Sequence, residues 1–136
     1  MSEMLGEWAK NKSRGKCYDD LKKLNKNDER KDYDAIIDEG NALLKNGYEN
    51  DKYVLRTTAL AYYKKGNNTK AIDLYSLSLK GKIACEIFRP NNDTLVYFDD
   101  AITHYILGII YKEIGDKGKS IEEKEKALQA ISKKPK

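Results

Sequence analysis

Two stretches of the chain, 49 residues apart, carry one spaced pattern that fixes the kind of structure the chain can build. In the first, Ala59, Tyr62, Gly66, Ala71, Ile72 and Leu79 mark the beats; in the second, Gly108, Tyr111, Gly115, Ser120, Ile121 and Leu128 fall at the same intervals. Side chains three or four residues apart share one helix face, so a small residue followed by Tyr opens a helical stripe. The Gly then ends that helix, because it takes left-handed backbone without steric penalty. A second small residue opens another apolar run. The unit is a helical hairpin, and its recurrence predicts a helical-repeat architecture. A weaker third copy lies upstream, where Ala35-Ile36 with Leu43 repeats Ala71-Ile72 with Leu79. Its partner helix falls around Cys17 to Asn27, with Lys26 at the Tyr position.

In LRTTALAYYKKGNNTKAIDLYSLSL, the residues Leu55, Thr58, Ala59, Tyr62, Gly66, Ala71, Tyr75 and Ser78 read large, intermediate, small, aromatic, turn, small, aromatic, small. This resembles the tetratricopeptide repeat, and the resemblance extends to Leu107, Gly108, Tyr111, Gly115, Ser120 and Ala127 in the second copy. The second copy departs from the family at His104, where a large apolar residue is usual, and at Lys124, where an aromatic is usual. Neither copy carries the Pro that often closes a repeat. The resemblance implies an all-α fold of antiparallel hairpins stacked as a short right-handed solenoid. Its repeats fall at about 16–47, 52–85 and 101–132, in a single domain. The usual repeat is roughly fifteen residues shorter than the spacing here. The surplus, about 80–100, is expected as extra helical turns on both sides of Pro90.

In that family the first helix of each hairpin lines a concave face. The corresponding residues here are Tyr53, Arg56, Leu60 and Tyr63 in the best copy and Ile102, Tyr105, Ile109 and Lys112 in the last. The weak first copy offers Cys17, Asp20, Leu24 and Asn27. The expected function is a non-catalytic adaptor that holds a peptide or another protein on this face, with Tyr giving contact area and Arg or Lys binding carboxylates. Leu24, Leu60 and Ile109 stand where chaperone-tail adaptors of the family need polar clamp residues, which disfavours that subclass. A second surface, Phe88, Tyr97 and Phe98, is the alternative, as a self-association or assembly contact.

Cap and breaker signals place the other elements. A short helix from Ser2 to about Lys12 carries Met4, Leu5 and Trp8 on one side. Helices are expected from about Lys16 to Asn25, from Asp28 to Leu44 and from Asp51 to Lys65, with Thr69 capping the next and Leu79 to Phe88 prolonging it. Asp93 or Thr94 caps a helix to about Ile114, and Ser120 opens the last one. That last helix has a narrow apolar stripe (Ile121, Leu128, Ile131) and a broad charged face, as suits a terminal repeat that meets water.

Several classes of function are disfavoured. The net charge of +4 comes from interspersed charges of both signs, too weak a bias to argue for nucleic acid. The single His, His104, permits no His-based metal cluster, and Asp19-Asp20 and Asp99-Asp100 are adjacent residues that do not share a helix face. No phosphate-cradling Gly run occurs. Cys17 and Cys85 are read as reduced structural thiols, without C-x-x-C spacing. No cofactor is expected, and no run approaches the length of a membrane span, so cytoplasmic residence is the default.

Overall fold

A computed structural model of the chain describes residues 19–83 and 100–132. These residues form six helices: α1 over 19–30, α2 Tyr33–Lys45, α3 Lys52–Lys64, α4 Asn68–Ser78, α5 Asp100–Glu113 and α6 Lys117–Ser132. Among the described residues there is no strand, and the fold class is all-α. Helix α3 packs on both α2 and α4, α4 on α5, and α5 on α6.

One turn, built three times, closes the helix pairs. Between α3 and α4 the Asn67 N–H donates to the Tyr62 carbonyl at 2.8 Å and the Gly66 N–H to the Tyr63 carbonyl at 3.0 Å. Asn67 Oδ1 then caps α4 by accepting from the Lys70 N–H. Between α5 and α6 the Asp116 N–H donates to the Tyr111 carbonyl at 2.8 Å, the Gly115 N–H to that of Lys112 at 3.1 Å, and Asp116 Oδ1 accepts from the Lys119 N–H. Both glycines hold positive φ, +86° and +89°, which satisfies the last carbonyls of the first helix without a Cβ clash.

The α1–α2 turn repeats this pattern without a glycine. The Asp32 N–H donates to the Asn27 carbonyl, the Lys31 N–H to that of Asp28, and Asp32 Oδ1 accepts from the Ala35 N–H. Lys31 holds the left-handed position at φ 57°. This corrects the register of the first copy by one residue: Asn27, not Lys26, stands at the Tyr position, and Ile36, not Ala35, matches Ala71. A non-glycine residue in left-handed backbone is strained, so Lys31→Gly is expected to raise the unfolding free energy by about 0.5–1 kcal/mol. A higher urea midpoint at unchanged slope is the readout.

Two apolar clusters hold the helices. Leu21, Leu24, Ile36, Leu43, Tyr53, Val54 and Ala61 join α1, α2 and α3. Ala59, Ala71, Tyr75, Leu107 and Ile110 join α3, α4 and α5. Each fully buried Leu or Ile contributes roughly 1.5–3 kcal/mol. Buried Gly40 lets α2 cross close to α3, for a Cβ there would lie 1.9 Å from Thr58 Oγ1. Asn41 Nδ2 donates to the Tyr62 hydroxyl across the same pair.

Helix α4 stops at Ser78 instead of running on toward Phe88. The chain turns at Leu79 and Lys80 and lies along the start of α3: the Lys82 N–H donates to the Asn50 carbonyl and the Lys52 N–H to the Lys82 carbonyl. Gly81 is needed for this approach, since a Cβ would fall 2.6 Å from the Asn50 oxygen. Other boundaries also shift. Helix α1 continues through Asn25–Asn27 to residue 30 because the turn is made by Lys31, and α4 is capped by Asn67, not Thr69. Helix α6 begins at Lys117, three residues before Ser120, because Asp116 caps it. The expected helix around Trp8 and most of the 80–100 insertion lie outside the described residues.

Candidate functional site

The expected concave row falls into two parts, one closed by the protein's own side chains and one open. At the α1–α3 junction Tyr53 is buried, and its hydroxyl accepts from Asn25 Nδ2 at 2.9 Å and faces Asp28 Oδ2 at 3.4 Å. Burial raises the pKa of Asp28 despite the Tyr53 hydrogen bond, and burial likewise raises that of Tyr53. Nearby, the Tyr48 hydroxyl donates to Asp20 Oδ2 at 2.6 Å, and burial with that carboxylate pushes the phenol up to about 12.

At the α3–α5 junction Arg56 is 1% exposed. Its Nε donates to Ser78 Oγ at 2.9 Å, and Nη2 donates to Asp100 Oδ1 at 2.7 Å. Lys52 Nζ donates to the same carboxylate oxygen at 2.8 Å. Ser78 in turn donates to the Tyr75 carbonyl, so its hydroxyl is used in both senses. Burial alone would raise the Asp100 pKa, but the hydrogen bonds and charges of Lys52 and Arg56 outweigh it and hold the carboxyl below its ordinary value. Farther along, the Tyr63 hydroxyl donates to Glu113 Oε1 at 2.6 Å, which raises the pKa of that phenol. These two contacts link the start of α3 to the start of α5 and the end of α3 to the end of α5, so the two helices run side by side in the same direction.

Tyr53 and Arg56 are therefore core and junction residues rather than groove contacts. The carboxylate that Arg56 binds comes from Asp100 of the same chain. Asp100 lies 49 residues after Asp51, whose carboxylate caps α3 through the Val54 N–H, so the repeat places an aspartate at the start of both helices. In the first copy the corrected register moves the row to Leu21, Asn25 and Asp28, in place of Asp20, Leu24 and Asn27; Cys17 lies outside the described residues. Leu21 and Leu24 are both buried.

The open part belongs to α5. Tyr105 is 52% exposed, Lys112 is exposed, and Ile102 and Ile109 are half-buried. Leu60 and Tyr63 on α3 are half-buried and pack against the second cluster. His104 points to the other side of α5, where its Nδ1 meets Glu123 Oε2 of α6 at 2.6 Å. Phe88, Tyr97 and Phe98 lie outside the described residues. Among the described residues no three His, Cys, Asp or Glu side chains converge to hold a metal ion, and no helix is long and apolar enough to cross a membrane. No protein-family model matches the chain, and no curated protein is detectably similar to it.

Proposed function

We propose that the protein is a non-catalytic interaction module. In this reading its hairpins stack as a short, right-handed, tetratricopeptide-like solenoid, and the first-helix face binds a peptide or protein. The observation that supports it most is the row Tyr105, Ile109 and Lys112 on α5, which offers an aromatic surface, an aliphatic floor and a cation at three- and four-residue steps. The matching positions of α3, Arg56, Leu60 and Tyr63, are engaged by the neighbouring helix. The working surface is thus smaller than the sequence alone implied, with Leu60 and Tyr63 as its inner wall. A short extended segment with one large apolar side chain and one carboxylate fits such a row, at the modest affinity of a shallow groove.

Selection of a displayed random-peptide library against the protein, followed by titration of the recovered peptides, tests this reading. Recovered peptides are expected to combine an apolar side chain with an acid and to lose at least ten-fold in affinity to a Tyr105→Ala/Lys112→Glu variant of unchanged helicity. Peptides that bind the variant as tightly as the parent would rule out the α5 row.

A further inference from the structure

The three hairpins treat their outer faces unequally. Counted from the shared turns, Ile37 and Leu44 of α2 correspond to Ile72 and Leu79 at and beyond α4, and to Ile121 and Leu128 of α6. In the first hairpin Ile37 and Leu44 pack against the cluster that includes Tyr53, Val54 and Ala61 of α3. In the second, Ile72 and Leu79 pack against the cluster that includes Leu107 and Ile110 of α5. Each pair therefore lies against a cluster to which the first helix of the following hairpin contributes. In the third, Ile121 and Leu128 are 58% and 67% exposed, and Ile131 beside them is 56% exposed. Ser120 and Ala127 are the buried residues of α6, and Glu123 also faces α5, where it meets His104. The apolar stripe of α6 thus points away from the protein's own core.

The opposite end of the stack is built differently. The α1 positions matching the inward-facing Val54, Thr57, Thr58 and Ala61 of α3 are Asp19, Lys22, Lys23 and Lys26, all exposed. That end carries the polar surface expected of a terminal repeat, and the α6 end does not. The contrast also decides against one occupant. A second copy docking its α1 head-to-tail on α6 would bury four charged side chains against Ile121 and Leu128. Pairing α6 antiparallel with its own copy about a twofold axis brings Lys117 and Lys124 of both copies onto one flank, where they repel.

We propose that the α5–α6 end is a docking groove for an amphipathic helix of another protein, seated as α5 is seated on α3 and α4. Such a helix carries three apolar residues at i+3, i+4 and i+7 and a small residue at i, as Ile106, Leu107, Ile110 and Thr103 do in α5. It also carries an acid near its C-terminal end. Inside the protein that acid is Glu113, which accepts from the Tyr63 hydroxyl; at the open end the residue corresponding to Tyr63 is exposed Lys112, a cation that complements it. This groove is centred on the outer stripe of α6, and it shares Lys112 with the α5 row assigned above.

The probe is a synthetic, lactam-bridged helical peptide of residues 100–113, titrated into isotope-labelled full-length protein and followed by amide NMR. Gly118, Ile121, Glu125 and Leu128 are expected to shift, with at least a ten-fold loss of affinity in Ile121→Asp/Leu128→Asp. These sites are exposed, so the variant keeps its fold, checked by circular dichroism. Absence of α6 shifts at millimolar peptide, or equal binding of a scrambled bridged peptide, overturns the proposal. Sedimentation of the protein alone is expected to show a monomer; a dimer abolished by Ile121→Asp/Leu128→Asp would overturn it in favour of a second copy as occupant.

Discussion

Replacing Arg56 with Ala is expected to lower the unfolding free energy by about 3 kcal/mol, whereas Arg56→Met stays within about 1 kcal/mol of the parent. The Ala variant removes a long side chain that is 1% exposed and leaves its volume unfilled. It also takes a charged partner from Asp100. That second loss is moderated, because the Asp100 side chain is 45% exposed and keeps Lys52 at 2.8 Å. The Met variant refills the volume, and Ser78 still donates to the Tyr75 carbonyl, so no hydroxyl proton is stranded. Urea unfolding of the two variants separates the packing contribution from the charge contribution. Equal losses in both would mean that the ion pair, not the packing, carries the junction.

The same junction sets a pH dependence with a definite sign. Because the folded Asp100 pKa lies below the unfolded value of about 3.9, its contribution is fully present above that value and is lost as pH falls through the folded pKa. Asp28 acts in the opposite sense. Its raised folded pKa means that protonation on acidification favours the fold, down to the unfolded value. Arg56→Met removes one of the two cations that depress Asp100, so its urea midpoint should decline less steeply below pH 4 than that of the parent.

The hairpins were legible in the sequence because their turns demand particular chemistry. Gly66 and Gly115 mark left-handed positions, and Tyr62 and Tyr111 mark the carbonyls that close those turns. The first hairpin was misregistered because Lys31 fills the same backbone conformation without advertising it. The end of α4 was misread for a related reason. Gly81 inside an apolar run looks like a tolerated helix glycine, and only the pairing of Lys82 with Asn50 and Lys52 shows that the chain has turned back. The binding row was legible as a set of positions but not as a set of exposures. Arg56 and Tyr105 occupy one position in two copies; the first is covered at the α5 junction and the second is open. Burial at that position depends on the next helix, which a periodicity within one hairpin cannot report. The outward stripe of α6 escaped for the converse reason, since Ile121 and Leu128 follow the same pattern as the covered Ile72 and Leu79.

Gly40→Ala is expected to cost about 3 kcal/mol, and Thr58→Ala in the same chain to recover at least half of the loss. Gly40 stands eight residues beyond the α1–α2 cap Asp32, where the second and third hairpins carry Tyr75 and Lys124 at the same distance from Asn67 and Asp116. Those larger residues fill space between helices; Gly40 removes it. Its added methyl would overlap Thr58 Oγ1 at 1.9 Å, with Thr58 Cβ and Cγ2 each at 3.0 Å. The Thr58 side chain cannot swing aside into solvent, because it is fully buried in the middle of α3. Its hydroxyl is already the buried polar atom without a hydrogen-bond partner among the described residues, so turning it elsewhere inside the core offers no compensating bond. Helix α2 must therefore move off α3, which loosens the packing of Ile36 and Leu43 against Val54 and Ala61. Thr58→Ala removes both the hydroxyl and the methyl group and opens room for the new side chain. A double-mutant cycle by urea unfolding should then give a favourable coupling of at least about 1.5 kcal/mol, and additive losses would show that the α2–α3 crossing is not set by this pair.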